Sequence, residues 1–475
     1  MAGLSLSMLL SSLGTSVANV ALPNLAHAFG ASFAQVQWVV LAYLLAVTAL
    51  IVGAGRLGDL IGRRRLLLAG ISLFTAASVL CGVAPTLWLL IAARAAQGLG
   101  AAVMMALTMA FVGETVPTAR TGRAMGLLGT MSATGTALGP SLGGVLISGF
   151  GWRAIFLVGV PLGLVSLLLV HRHVPADRQR PVGARVPFDR VGTVLLALTL
   201  TAYALAMTLG HGRIGWLGAV LLGAAGAGAA LFVRVEARAV SPLVRPAMFR
   251  DRALSASLAM STLVSTVMMA TLVVGPFYLS RALGLDDALA GLVLSAGPLV
   301  AALTGVPAGR VVDRLGAHRT TVAGLVVSAA GCVLLSVTPT ALGVLGYVLP
   351  LAVVTAGYAV FQTANNTAVL SGVAPDRRGV TSGMLQLSRN LGLITGTSVM
   401  GAVFAAASGA GAGFGAASRA GSRAGSATGD VATAGAGAVA NGMRVTFAVA
   451  AVLVLLALVV AAVGWVRNRG AVRGC

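Results

Sequence analysis

Lysine is absent from this chain: all 32 cationic side chains among its 475 residues are arginine. Acids are scarce too, 11 in total, and charged residues reach only 9%, against roughly 25% in an ordinary soluble domain. So little charge excludes a freely soluble fold. Cysteine occurs three times, at Cys81, Cys332 and Cys475, too far apart for a disulfide framework or a metal-ligand spacing. No paired acids, histidine cluster or nucleophile arrangement stands out. Nothing points to an enzyme, a bound metal or a cofactor.

What is present is apolar. The chain is 58% hydrophobic with a mean hydropathy of +0.97. Apolar runs of about 20 residues recur from end to end, the length that carries a helix across ~30 Å of hydrocarbon. A β-barrel would show short alternating segments instead. The expectation is an all-α integral membrane protein, with the lipid bilayer as its surroundings. No cationic stretch precedes the first run, which reads as a retained helix rather than a signal peptide.

Fourteen spans are expected near 4–25, 36–57, 66–84, 87–112, 123–149, 153–172, 190–210, 215–234, 254–279, 287–309, 320–338, 341–364, 380–406 and 442–466. Arginine placement orients them. If the second span ends in the cytoplasm, 24 arginines fall on cytoplasmic connections and the tail, and six on the other side. That asymmetry predicts both termini in the cytoplasm. The net charge of +21 is therefore a mark of membrane orientation, not of nucleic-acid binding. The alanine-, glycine- and serine-rich stretch 405–439 reads as a flexible external loop.

A charged phrase recurs. "GRLGDLIGRRR" places Gly55, Arg56, Asp59, Gly62, Arg63, Arg64 and Arg65 at the end of the second span and in the connection to the third. "GRVVDRLGAHR" places Gly309, Arg310, Asp313, Gly316 and Arg319 at the end of the tenth span and in the connection to the eleventh, with Gly55, Arg56, Asp59, Gly62 and Arg65 in register at a constant offset of 254. The repeat divides the chain into six-helix halves, 1–172 and 254–475, around an inserted helix pair in 173–253. Internal repeats of this kind mark secondary transporters. The glycines permit a tight turn between antiparallel helices. Asp59 either caps the next helix or pairs with a nearby arginine, a contact able to hold one side of the molecule shut.

Here a resemblance becomes specific. "GRLGDLIGRRR" resembles the signature loop of the major facilitator superfamily. "LLIAARAAQGLGAA", with Arg94, Gln97 and Gly98, resembles that family's fourth-helix motif. "GLLGTMSATGTALGPSLGG", with Gly126, Gly135, Gly139, Pro140, Gly143 and Gly144, resembles its fifth-helix antiporter motif. "VANVALP", "QWVVLAYLL" and "LSRNLGLITG" fit the 14-helix drug:proton antiporter branch. The resemblance implies the major facilitator fold, a plasma-membrane exporter of drug-like small molecules, and protons as the coupling ion. It also implies a coupling role for Arg94 with Gln97. Gly135, Gly139 and Gly143 recur every four residues, so one face of the fifth helix lets another backbone approach. Pro140 removes a backbone hydrogen bond there.

One departure stands out. Aligned on "ANVALP", the family's first-helix aspartate falls at Gly14. All eleven acids lie in connections or at span ends, and the charges expected deep in the membrane are Arg94 and Arg389. Buried arginine is costly and needs a polar or water-lined site. Candidate cavity groups are Asn19, Gln37, Trp38, Tyr43, Gln362, Asn365, Asn366, Gln386 and Arg389, with Met104 and Met105 as adaptable apolar surface. The arginines fit neutral or anionic substrates better than permanent cations. An uncoupled facilitator, an importer on the same fold and a membrane-embedded sensor are the alternatives.

Overall fold

The computed structural model describes residues 1–475 except 32, 118–119, 175–188, 210–215, 240–241, 243–245, 286, 375–376, 409–434 and 473–475. Every regular element among the described residues is helical. In chain order they are α1 (Ala2–Phe29), α2 (Phe33–Ile61), α3 (Arg63–Val83), α4 (Leu87–Thr115), α5 (Thr121–Phe150), α6 (Ala154–Leu157) and α7 (Gly159–His173). Then come α8 (Arg190–Leu209), α9 (Trp216–Arg238), α10 (Arg252–Phe277), α11 (Asp287–Leu315), α12 (Ala317–Val337), α13 (Gly343–Ser371), α14 (Arg378–Ala407) and α15 (Ala436–Val472).

Ten helices among the described residues are long and apolar enough to cross a membrane. Two shorter apolar stretches lie at Ala2–Ala18 and Val191–Met207. α5 and α14, each 30 residues long, are both rich in glycine, serine and threonine. Both pack against helices on more than one side, α5 on α1 and α11, and α14 on α2 and α10.

Local chemistry sets the ends. Thr86 accepts a hydrogen bond from the Leu89 amide, and Asp251 from those of Ala253 and Leu254, capping α4 and α10. The turns between α2 and α3 and between α11 and α12 need a left-handed residue, and Gly62 (φ 106°) and Gly316 (φ 84°) supply it. Pro276 lacks an amide hydrogen, and the helix widens just beyond it into a π turn at Tyr278–Ala282.

The helices gather into two sets, α1–α7 and α10–α15. One apolar core runs through α10, α12, α13, α14 and α15 around Val274, Leu325, Tyr347, Phe361 and Phe447. The other set is filled around Tyr43, Phe74, Met104 and Leu107, and around Val17, Leu90 and Phe156. The sets meet along α2 with α14 and α5 with α11. Between them α8 packs against both α2 and α14, and α9 covers α8.

Two expectations need correction. The repeated phrase is not a loop: Gly55, Arg56 and Asp59 lie inside α2, Gly309 and Asp313 inside α11, and only Gly62 and Gly316 form the turns. The charged ends stay helical because their side chains bond across to another helix. The stretch 405–439 is entered by helix from both sides, to Ala407 and from Ala436. The rest of it, 409–434, lies outside the described residues.

Candidate functional site

The arginine-rich face holds two matched contacts between the helix sets. Asp59 accepts from the Gly379 amide (3.2 Å) and the Val380 amide (3.1 Å) at the start of α14. Asp313 accepts from the amides of Gly122 (2.9 Å) and Arg123 (3.1 Å) at the start of α5. Each carboxylate thus seats on first-turn N–H groups of a helix in the opposite set, groups that have no acceptor within their own helix, where the helix dipole favours negative charge. Asp59 caps neither α3 nor any helix next to it in sequence; it caps α14 and also pairs with Arg63 at 2.8 Å. At the position equivalent to Arg63 stands Ala317, and Asp313 rests on the two amides alone among the described residues.

Glycine makes these contacts possible. A Cβ on Gly55 would collide with the Gly379 carbonyl, and one on Gly309 with the Gly122 carbonyl. A Cβ on Gly126 would meet Gly305, and one on Gly383 would stand 2.8 Å from the Ile51 carbonyl. Higher up the seam, Thr130 donates to the Ala302 carbonyl at 2.9 Å. The receiving ends repeat as well. Arg120, Gly122 and Gly126 correspond to Arg377, Gly379 and Gly383 at an offset of 257. That Arg-x-Gly-x-x-x-Gly pair was legible in the chain, yet it was missed because its working atoms are backbone amides.

Arg94 is wholly buried, 0% exposed, on α4. Its Nε donates to the Val39 carbonyl (2.9 Å), one terminal nitrogen to Gln97 Oε1 (2.6 Å) and the other to the Gly14 carbonyl (2.9 Å). Gln97 in turn donates to Ser78 at 2.7 Å. The Tyr43 ring lies 4.3 Å from the guanidinium carbon, and its hydroxyl donates to the Ser11 carbonyl at 2.7 Å. Tyr43 therefore belongs to the Arg94 network and not to the cavity. A Cβ on Gly14 would stand 3.1 Å from the Tyr43 hydroxyl, so the position that lacks a carboxylate is also tightly filled.

On α5, Gly135 and Gly139 face α1, where a Cβ would strike the Leu9 carbonyl and the Ser16 hydroxyl. Gly143 is buried and Gly144 is exposed with open space around it. The helix continues through Pro140. The side chains of Asn19, Gln37 and Pro140 lie outside the described set. Trp38 is half-buried on α2 and does not line the cavity.

A cavity of about 60 Å³ lies between the sets. Gln362 and Asn366 from α13 and Gln386 and Arg389 from α14 line it, as expected. Asn365 does not: its amide donates to the Ser257 carbonyl on α10 at 3.2 Å. Met104 and Met105 are buried in the core, and Met8, Met109 and Met125 line the cavity in their place. Tyr358, one turn before Gln362 on the same α13 face, was also missed, as were Ser132 on α5 and Thr363 on α13. For Tyr358 the four-residue spacing from Gln362 was the available signal. Among the acids, Glu236 is not in a connection but inside α9, 1% exposed.

Two pseudo-equivalent helix sets meeting around a polar cavity, with matched contacts closing one face, define a transporter fold. Residues 4–397 match the Major Facilitator Superfamily, and the chain belongs to that family. It is a multi-pass membrane transporter, not an enzyme, and its bacterial relatives place it in the inner membrane. It is 33% identical over 411 residues to multidrug resistance protein Stp of Mycobacterium tuberculosis, covering 85% of this chain and 75% of that one. It is 30% identical over 411 residues to riboflavin transporter RibZ of Clostridioides difficile, covering 84% and 86%. The solved structure of the proton:xylose symporter XylE superposes with a TM-score of 0.66 at 15% identity, covering 96% of this chain and 93% of that one, a likeness of fold.

Proposed function

We propose that the chain exports drug-like or secondary-metabolite small molecules by alternating access, driven by proton antiport. The observation that carries this reading is the pair of aspartate-to-helix contacts, which shut one face of the seam in front of a polar cavity. The arginine-rich face is the cytoplasmic one, with fourteen spans and both termini on that side. The halves are 1–172 and 254–475, with the inserted pair in 173–253. Asp59 and Asp313 are the latches that break as the cytoplasmic side opens. Arg94 with Gln97 organises coupling, and Gly139 with Pro140 shapes the pivot on α5. The printed names of the relatives support movement of organic molecules: one is a multidrug resistance protein, another a riboflavin transporter.

The test is uptake into proteoliposomes under an imposed pH gradient. Accumulation of a drug-like probe against its own gradient is the expected result. A second reading, an uncoupled facilitator, draws on Gly14: no acidic side chain lines the cavity or bonds Arg94 among the described residues. Probe movement that only equilibrates, whatever the pH gradient, overturns antiport in its favour.

A further inference from the structure

The cavity between the helix sets has two unlike walls. Met8 on α1, Met109 on α4 and Met125 on α5 present soft, polarisable surface on one side. Gln362 and Asn366, four apart on α13, and Gln386 and Arg389, three apart on α14, stand on the other. Asn366 Oδ1, Gln362 Oε1, Gln386 Nε2 and Arg389 Nε have no hydrogen-bond partner among the described residues. Asn366 and Gln386 are 8% and 3% exposed, so bulk solvent does not satisfy them. Polar groups buried in this way are expensive unless something enters to bond them. The present volume, about 60 Å³, admits only water-sized occupants, so a larger guest enters when the walls part. Among the described residues no acidic side chain lines the cavity, and the Arg389 guanidinium is the formal charge found there.

We propose that this cavity selects amphipathic organic anions, with the acid group held between the Arg389 guanidinium and the Gln386 carboxamide and the apolar body laid on the methionines. This rests on the reading of the cavity as the substrate site. Guanidinium and carboxamide donors three residues apart on one helix face can both reach a carboxylate, sulfonate or phenolate. The Gln362 and Asn366 oxygens accept from any hydroxyl or N–H on the same molecule. A cationic guest meets a like charge with no carboxylate to offset it, which is discrimination by repulsion as well as by attraction.

The test is equilibrium binding to the full chain in lipid nanodiscs, read by fluorescence anisotropy. Three dyes share one xanthene ring system: fluorescein, anionic above neutral pH; the parent rhodamine, a net-neutral zwitterion; and the rhodamine ethyl ester, a cation. Fluorescein is expected to bind about tenfold or more tightly than the cationic ester, the scale of one charge-assisted hydrogen bond. Arg389→Gln removes that preference and leaves binding of the ester unchanged or stronger. Arg389→Lys keeps the charge and retains much of the preference, which separates charge from folding. Equal affinity for all three dyes, tighter binding of the cation, or no saturable binding of fluorescein overturns the proposal. Binding is read without flux, so a failure of the transport reading, with no dye crossing proteoliposomes, remains a separate outcome.

Discussion

Arg94 shows what a buried cation needs in this fold. Three of its nitrogens meet three oxygens from three helices, in one plane that only a guanidinium can span. Arg94→Lys keeps the charge but loses the fork, leaving acceptors unpaired at about 1–3 kcal/mol each. The expected result is a lower unfolding temperature in detergent, by scanning fluorimetry, together with lost pH-driven uptake. Unchanged stability and uptake in Arg94→Lys would dispose of the positioning role. The pairing of Arg94 with Gln97 was legible from their spacing on one helix face. The Gly14 and Val39 carbonyls were not, because a backbone acceptor leaves no signature in residue type. Tyr43 was misplaced for a related reason: an aromatic residue on a membrane helix suits a cavity wall or a cation's face equally well, and only the fold brings Arg94 beneath it.

The latches act between helices. A carboxylate at a helix N-terminus contributes about 0.3–1 kcal/mol when exposed and up to ~2 kcal/mol when partly buried. Asp59→Asn and Asp313→Asn are each expected to shift the closed population several-fold, and the double variant more than either. Spin-label distances across the arginine-rich face measure that shift. If neither variant lengthens those distances, the contacts are not latches. Asp59 has Arg63 beside it and Asp313 has no such partner among the described residues, so Arg63→Ala should weaken the Asp59 contact and leave the other alone. Packing gives a second handle: Gly305→Leu drives a side chain into Thr130 and the Gly126 carbonyl on α5. It should hold α5 and α11 apart and favour the open face in the same measurement. Normal closure in that variant would show that the seam tolerates bulk. The offset of 254 made the acceptor carboxylates of these latches readable in the sequence. Their helical character was not, since glycines this dense read as a turn until the helix across the seam is known.

At the scale of the whole molecule, the arrangement of arginines makes a topological prediction. Alkaline phosphatase fused after Ala420 should be active, and fusions after Arg180 or at the C-terminus inactive. Activity at the C-terminus would remove the fourteen-span count. The repeated phrase pointed to two related halves of the chain, but the seat of α8 and α9 was not legible, because lipid-facing and helix-facing apolar residues look alike in a sequence. The fold places α8 across the line where α2 meets α14. A Cβ on Gly53 would stand 3.2 Å from Thr193, Tyr203 bonds Thr395, and Ser398 donates to the Met207 carbonyl at 2.5 Å. Among the described residues, neither inserted helix packs along α5 or α11. The molecule is therefore bound like a book, with a spine along one edge and a fore-edge along the other. Photo-crosslinking of a lipid-dissolved probe should label α11 around the exposed Leu299 and Leu303 and spare α2. For a guest arriving from within the bilayer, such a volume has one side on which its pages part.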